Sequence, residues 1–338
     1  MIKFLVILLL GGMVTAGVTW VGHEDFKSPP GWPKPVYDFA KHPPDSAKAM
    51  LGRMLFYDPI LSADSSVSCA SCHSPYNAFA HADHQLSHGI GDRIGMRNAP
   101  ALMNLAWNSN FMWDGSVNDI DMQALIPIAH PDEMGSEIDW VIKQLRTSVS
   151  YRGAFAIAFG DTLINASRLS SCLSQFVLQL ISADSKYDSV MRKQAIFSLQ
   201  EKNGYSLYKK KCSSCHTEPL FTNNKFENNG ISFNKALNDS GRKKVSGIAS
   251  DFMAFKVPTL RNVSFTSPYM HDGRFQKLSN VLKHYAQLTG KEHGLSRSLR
   301  NGIQLNADEI TDLIAFLLTL NDKQFVFNPD YGYPAGSY

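Results

Sequence analysis

Two pentapeptides of the form CxxCH, Cys69-Ala-Ser-Cys72-His73 and Cys212-Ser-Ser-Cys215-His216, constrain this chain more than any other feature of it. Two thiols three positions apart add across the two vinyl groups of one haem, and the adjacent histidine supplies an axial nitrogen to the iron. A redox CxxC pair or half of a zinc site has no use for the histidine that follows. With five cysteines and eleven histidines in 338 residues, chance does not account for two such motifs. The fifth cysteine, Cys172, has no partner left and is expected to pack as a small hydrophobe.

The motifs lie 143 residues apart, each behind a helical pattern, so the chain reads as two cytochrome c-like domains. Leu51, Met54 and Leu55 recur at i, i+3, i+4 before Asp58-Pro59 stops the first helix, and Tyr205 to Tyr208 runs into the second motif. Near the C-terminus, Asn306 and Glu309 form a capping pair ahead of the apolar stripe Ile310, Leu313, Ile314, Leu317. Strand signals are few and short, whereas Ser74–Pro100 and Thr217–Thr259 are long loops rich in turn residues. Such lengths call for a large cofactor at each domain centre to supply the missing packing surface. The predicted class is mainly α, with two haem domains, long loops and little strand. Segment Asn165–Tyr208 reads as a connector, with the boundary near Leu199. Residues 1–22 form a signal or anchor, 23–198 the first domain and 199–338 the second.

A net charge of +3 and no basic run longer than Lys209-Lys210-Lys211 give no support for nucleic-acid binding. At the N-terminus Lys3 precedes an apolar run from Phe4, with small residues up to Ala16, which fits an export signal. Apolar character persists to Val21, so an uncleaved membrane anchor is the alternative. Both place the body of the chain outside the cytoplasm, in the periplasm.

Beyond the haem motifs, the order of Phe56-Tyr-Asp-Pro59, Arg97-Asn-Ala-Pro100, Trp113-Asp-Gly115, Gln123, Pro131-Asp-Glu-Met134, Pro258-Thr-Leu-Arg-Asn262 and Pro268-Tyr-Met-His-Asp-Gly273 resembles the bacterial di-haem cytochrome c peroxidase family, including its MauG branch. The resemblance covers nearly the whole mature chain. It implies a peroxide-reducing N-terminal haem and an electron-transfer C-terminal haem, with His73 and His216 as proximal ligands. Gln123 and Glu133 match the family's distal pair, and His88 its departing distal histidine, though His81 and His84 share that loop. At the second haem, Tyr285 falls where the family carries its sixth ligand, with His284 and Met270 as rivals. Trp113 matches the tryptophan between the haems. A bridging calcium would take the side chain of Asn98 and the backbone oxygens of Thr266 and Pro268, hard donors suited to that ion.

The implied activity is reduction of hydrogen peroxide with electrons from a small cytochrome c, a cupredoxin or a quinol, in a chain that resembles commonly homodimeric proteins. Two other functions stay open: a MauG-like oxidase that modifies residues of a partner protein, and a non-catalytic di-haem electron carrier.

Overall fold

A computed structural model describes residues 26–82 and 84–334. The N-terminal signal or anchor lies outside the described residues. Among the described residues no helix is long and apolar enough to cross a membrane.

Each half of the chain is built on one crossed pair of helices. In the first half, α1 (Ser46–Tyr57) starts where Asp45 accepts a hydrogen bond from the Lys48 amide at 3.0 Å, satisfying an otherwise unpaired N–H of the first turn. Helix α2 is the short turn Cys69–Cys72 that carries the first haem motif. Four further helices follow: α3 (Ile120–Gln123), α4 (Leu125–Ala129), α5 (Ile138–Thr147) and α6 (Val149–Phe159). The half closes with α7 (Ala166–Leu178), capped by Asn165. The faces of α1 and α7 that meet carry Leu51, Leu55, Leu169 and Leu173, all at most 2% exposed. They touch at Gly52, where a Cβ would lie 1.9 Å from the Cys172 carbonyl oxygen. Cys172 is fully buried at this crossing, as a small hydrophobe in that position must be.

The second half repeats the device. Helix α8 (Lys186–Met191) leads to α9 (Leu199–Lys211), opened by the reciprocal pair Ser198 and Glu201. Beyond α10 (Lys243–Ser246) and α11 (Leu278–Gln287), α12 (Ala307–Leu318) is opened by Asn306 and Glu309, as the sequence pattern predicts. Helices α9 and α12 cross at Gly204, where a Cβ would lie 1.9 Å from the Asp312 carbonyl oxygen. The only sheet among the described residues is the two-residue antiparallel pair β1 (Phe226–Glu227) and β2 (Phe255–Lys256), with Phe226 opposite Lys256. The chain is mainly helical with almost no strand, the class expected from its sequence.

The stretch 165–208 is not a plain connector, because α7 closes the first half and α9 opens the second. Between them α8 sends Tyr187 into the second core, while α13 (Lys323–Val326) returns Phe325 and Val326 to the first. Buried polar groups brace the second half and join it to the first. Arg261 is fully buried, pairs with both oxygens of Asp188 at 2.8 and 2.9 Å, and donates to the Pro219 carbonyl at 2.8 Å. Arg97 forms two hydrogen bonds with Asp239, at 2.6 and 2.8 Å, and one with Asp114 at 2.8 Å. Removing one member of such a pair leaves a buried charge alone, which costs about 3–5 kcal/mol.

The two crossings make a direct prediction. Gly52→Ala and Gly204→Ala each force a methyl group into backbone and should cost at least ~1–3 kcal/mol, read as a lowered melting temperature. Gly153→Ala, in α6 with nothing within 4 Å of the added carbon, should instead stabilise by about 0.5–1 kcal/mol. Equal behaviour of all three variants would show that the crossings are not close-packed.

Two candidate haem centres

Each CxxCH motif opens a loop that turns back to hold its own histidine. Six residues after His73, Phe79 adopts φ +59°, and His73 Nδ1 donates to its carbonyl at 2.8 Å. Five residues after His216, Phe221 adopts φ +54°, and His216 Nδ1 lies 3.1 Å from its carbonyl and from that of Pro258. Both phenylalanines are fully buried in the core of their own half. A bulky residue in the left-handed region persists only where its surroundings over-determine it. Here the ring is anchored in the core while the carbonyl faces the histidine. Because a carbonyl only accepts, Nδ1 must carry the proton, which leaves the Nε2 lone pair for a metal. Burial pulls His73 down to about 4 and lowers His216 also, keeping both imidazoles in the neutral form that ligates.

Two cavities contain these groups. The first is lined by Cys69, Cys72 and His73 together with apolar Phe56, Leu102 and Leu173. The second is lined by Cys212, Cys215 and His216 with Leu260, Leu282 and Leu313. The motif thiols are free, and burial pushes Cys69 and Cys212 up to about 12. A pair of uncombined thiols, a tautomer-fixed imidazole and apolar walls in each cavity fit a covalently attached haem.

The polar groups differ between the cavities. Gln123, His88 and Glu133 all line the first. Burial raises the Glu133 carboxyl above the ordinary carboxylate range, with Asp132 adding to the shift and His130 opposing it. His88 Nδ1 bonds Asp92 at 2.8 Å. Its loop rests on the Glu133 turn, since Ile90 N–H donates to the Glu133 carbonyl at 2.8 Å. A Cβ on Gly89 would lie 2.3 Å from that same oxygen. The rings of His81, His84 and His88 follow one another at 5.5 and 4.4 Å, and of the three only His88 borders the cavity.

Tyr285 and Met270 both line the second cavity, and burial raises the Tyr285 phenol to about 12. His284 does not reach the cavity, its Nε2 lying 3.0 Å from the Asn229 carbonyl. Trp113 lines the second cavity and donates from its indole to the Asn98 carbonyl at 2.8 Å. Asn98, Thr266 and Pro268 border that cavity also. No group of three or more His, Cys, Asp or Glu able to hold a metal occurs among the described residues.

Two residues at the second cavity belong to no recognisable motif. Asn229 donates to the Met270 sulfur at 3.3 Å and hydrogen-bonds Tyr285, and nothing in its sequence surroundings marks it. Lys256 lines the second cavity, and its position inside the apolar run Phe252–Val257 was the available signal.

The fold and the two cavities define a c-type cytochrome with two covalently bound haems. The di-haem cytochrome c peroxidase pattern matches residues 46–196 and the cytochrome c pattern residues 201–321. The methylamine utilization protein MauG of Methylorubrum extorquens is 34% identical over 305 residues, which cover 87% of this chain and 83% of that protein. The cytochrome c551 peroxidase of Nitrosomonas europaea is 32% identical over 299 residues, covering 86% and 84%. A solved MauG-like protein associated with microbial copper homeostasis superimposes with a TM-score of 0.82 at 27% identity, over 92% of this chain and 99% of that one. The chain belongs to the di-haem cytochrome c peroxidase family, which holds both peroxidases and MauG proteins.

Replacing Cys69 and Cys72 together by serine should halve the covalent haem of the purified protein, measured as pyridine haemochrome per chain. Undiminished haem would show that the first motif is not an attachment site.

Proposed function

We propose that the protein reduces hydrogen peroxide to water at its N-terminal haem, with electrons entering at the C-terminal haem from a small cytochrome c, cupredoxin or quinol. The observation that carries this reading is the presence of Glu133 and Gln123 in the same cavity as His73 and its thiols. Each haem, when bound, supplies an iron that gains and loses electrons one at a time. The Glu133 carboxylate takes a proton from the nearer peroxide oxygen and returns it to the farther one, which leaves as water. Its burial, which raises the carboxyl above its ordinary value, favours its holding a proton. The Gln123 amide orients the peroxide by donating an N–H. Two protons and two electrons complete the conversion of one peroxide to two waters.

In this reading His88 would be a replaceable ligand to the iron of the first haem, Tyr285 would help hold that of the second, and Trp113 would shorten the path between them. Tyr285 is favoured over His284 by its place on the cavity wall. A calcium ion on Asn98, Thr266 and Pro268 would brace the same wall. We further propose that the protein is exported to the periplasm, that its haem domains divide near Leu199, and that it works as a homodimer.

Tyr285 also favours a second reading, oxidation of residues in a partner protein by a MauG-like route, because an anionic oxygen ligand stabilises ferric iron. A pure electron carrier gains nothing from an acid and an amide at its first haem.

Glu133→Gln should keep both haems and lower peroxide turnover by roughly 10²-fold. Wild-type turnover in that variant would remove Glu133 from the chemistry. Tyr285→Phe should change the absorption and electron paramagnetic resonance spectra of the C-terminal haem only, and unaltered spectra would transfer the ligand role to Met270.

A further inference from the structure

The second cavity holds a cation that the mechanism above does not use. Three basic side chains line it, Lys211, Lys256 and Arg261. Arg261 is neutralised by Asp188, and Lys211 donates to the Gln304 carbonyl at 2.5 Å. Lys256 donates a single hydrogen bond, to the Asn110 carbonyl at 3.1 Å, and forms no ion pair among the described residues. The one acid on the cavity wall, Glu227 of the neighbouring strand β1, is not paired with it. Burial alone, with no carboxylate to oppose it, pulls the ammonium down to about 8. A half-buried ammonium with most of its donors unused is unfavourable unless an anion compensates it.

A haem brings two propionate carboxylates into the cavity that receives it. We infer that Lys256 is the counter-charge for a propionate of the C-terminal haem. The residue is well fixed for this role. Its backbone N–H donates to the Trp113 carbonyl at 2.7 Å and its ammonium to Asn110. The same lysine therefore ties the second haem to the 110–113 segment of the first half, which carries Trp113. The inference rests on the C-terminal haem occupying this cavity and not on which substrate is oxidised.

The test is the midpoint potential of the C-terminal haem, measured by spectroelectrochemistry of the haem-loaded protein without peroxide. Removing a positive charge beside the haem disfavours the added electron. In Lys256→Met, at the potential that half-reduces the wild-type haem, the reduced-to-oxidised ratio should fall several-fold, tenfold being 59 mV for one electron. The N-terminal haem should titrate as in the wild type, and Lys256→Arg should restore most of the loss. An unchanged potential in Lys256→Met overturns the assignment. Equal shifts in the Met and Arg variants also overturn it, since they would trace the effect to packing and not to charge. Because no turnover is measured, failure here is distinct from failure of the peroxidase reading.

Discussion

The hydrogen bond between each CxxCH histidine and the carbonyl of a buried phenylalanine is the interaction on which both halves of this protein depend. Phe79 serves His73, and Phe221 serves His216. Each phenylalanine accepts a left-handed backbone so that its ring enters the core while its carbonyl fixes the imidazole. That single contact sets the tautomer, directs Nε2 to the cavity and folds the loop after CxxCH against the crossed helices. The helices supply little more than a clamp, closed at Gly52 and Gly204. A haem held by the thiols and histidine would give the long loops their packing surface.

On this shared frame the two cavities carry opposite chemistry. The first presents an acid, an amide and a histidine on a loop, groups that exchange protons and bind small polar molecules. The second presents a phenol, a thioether and an indole among apolar residues, groups suited to ligating iron and passing electrons. Buried polar links join the two halves: Arg97 to Asp239, and Asn262 to Ser182. Arg97 and Asn262, each inside a motif that carries the family resemblance, supply these links. Their buried side chains tie the two halves together.

What the sequence made legible were the features encoded within a few residues. The CxxCH motifs, the stop at Asp58-Pro59, the cap at Asn306 and the turn-rich loops depend on local chemistry, and all appear where their residues stand. Features set by distant pairing were hidden. Leu169, Leu173 and Val177 have helical spacing whether they line a connector or a core, and only packing against α1 makes α7 the closing helix. Likewise, three loop histidines look alike in sequence, and the rest of the fold decides that His88 alone meets the first cavity. Asn229 and Lys256 gain their importance from a cavity assembled by residues scattered over both halves.

In the proposed reaction the first haem would meet peroxide and the second would feed it electrons. The most direct measurement is stopped-flow absorbance of the haem-loaded protein mixed with hydrogen peroxide, begun from the fully oxidised and from the half-reduced forms. The account predicts a rapid change at one haem, followed by sustained oxidation of a reduced small donor protein. A protein whose spectrum stays constant from both starting forms would contradict it and leave only an electron carrier.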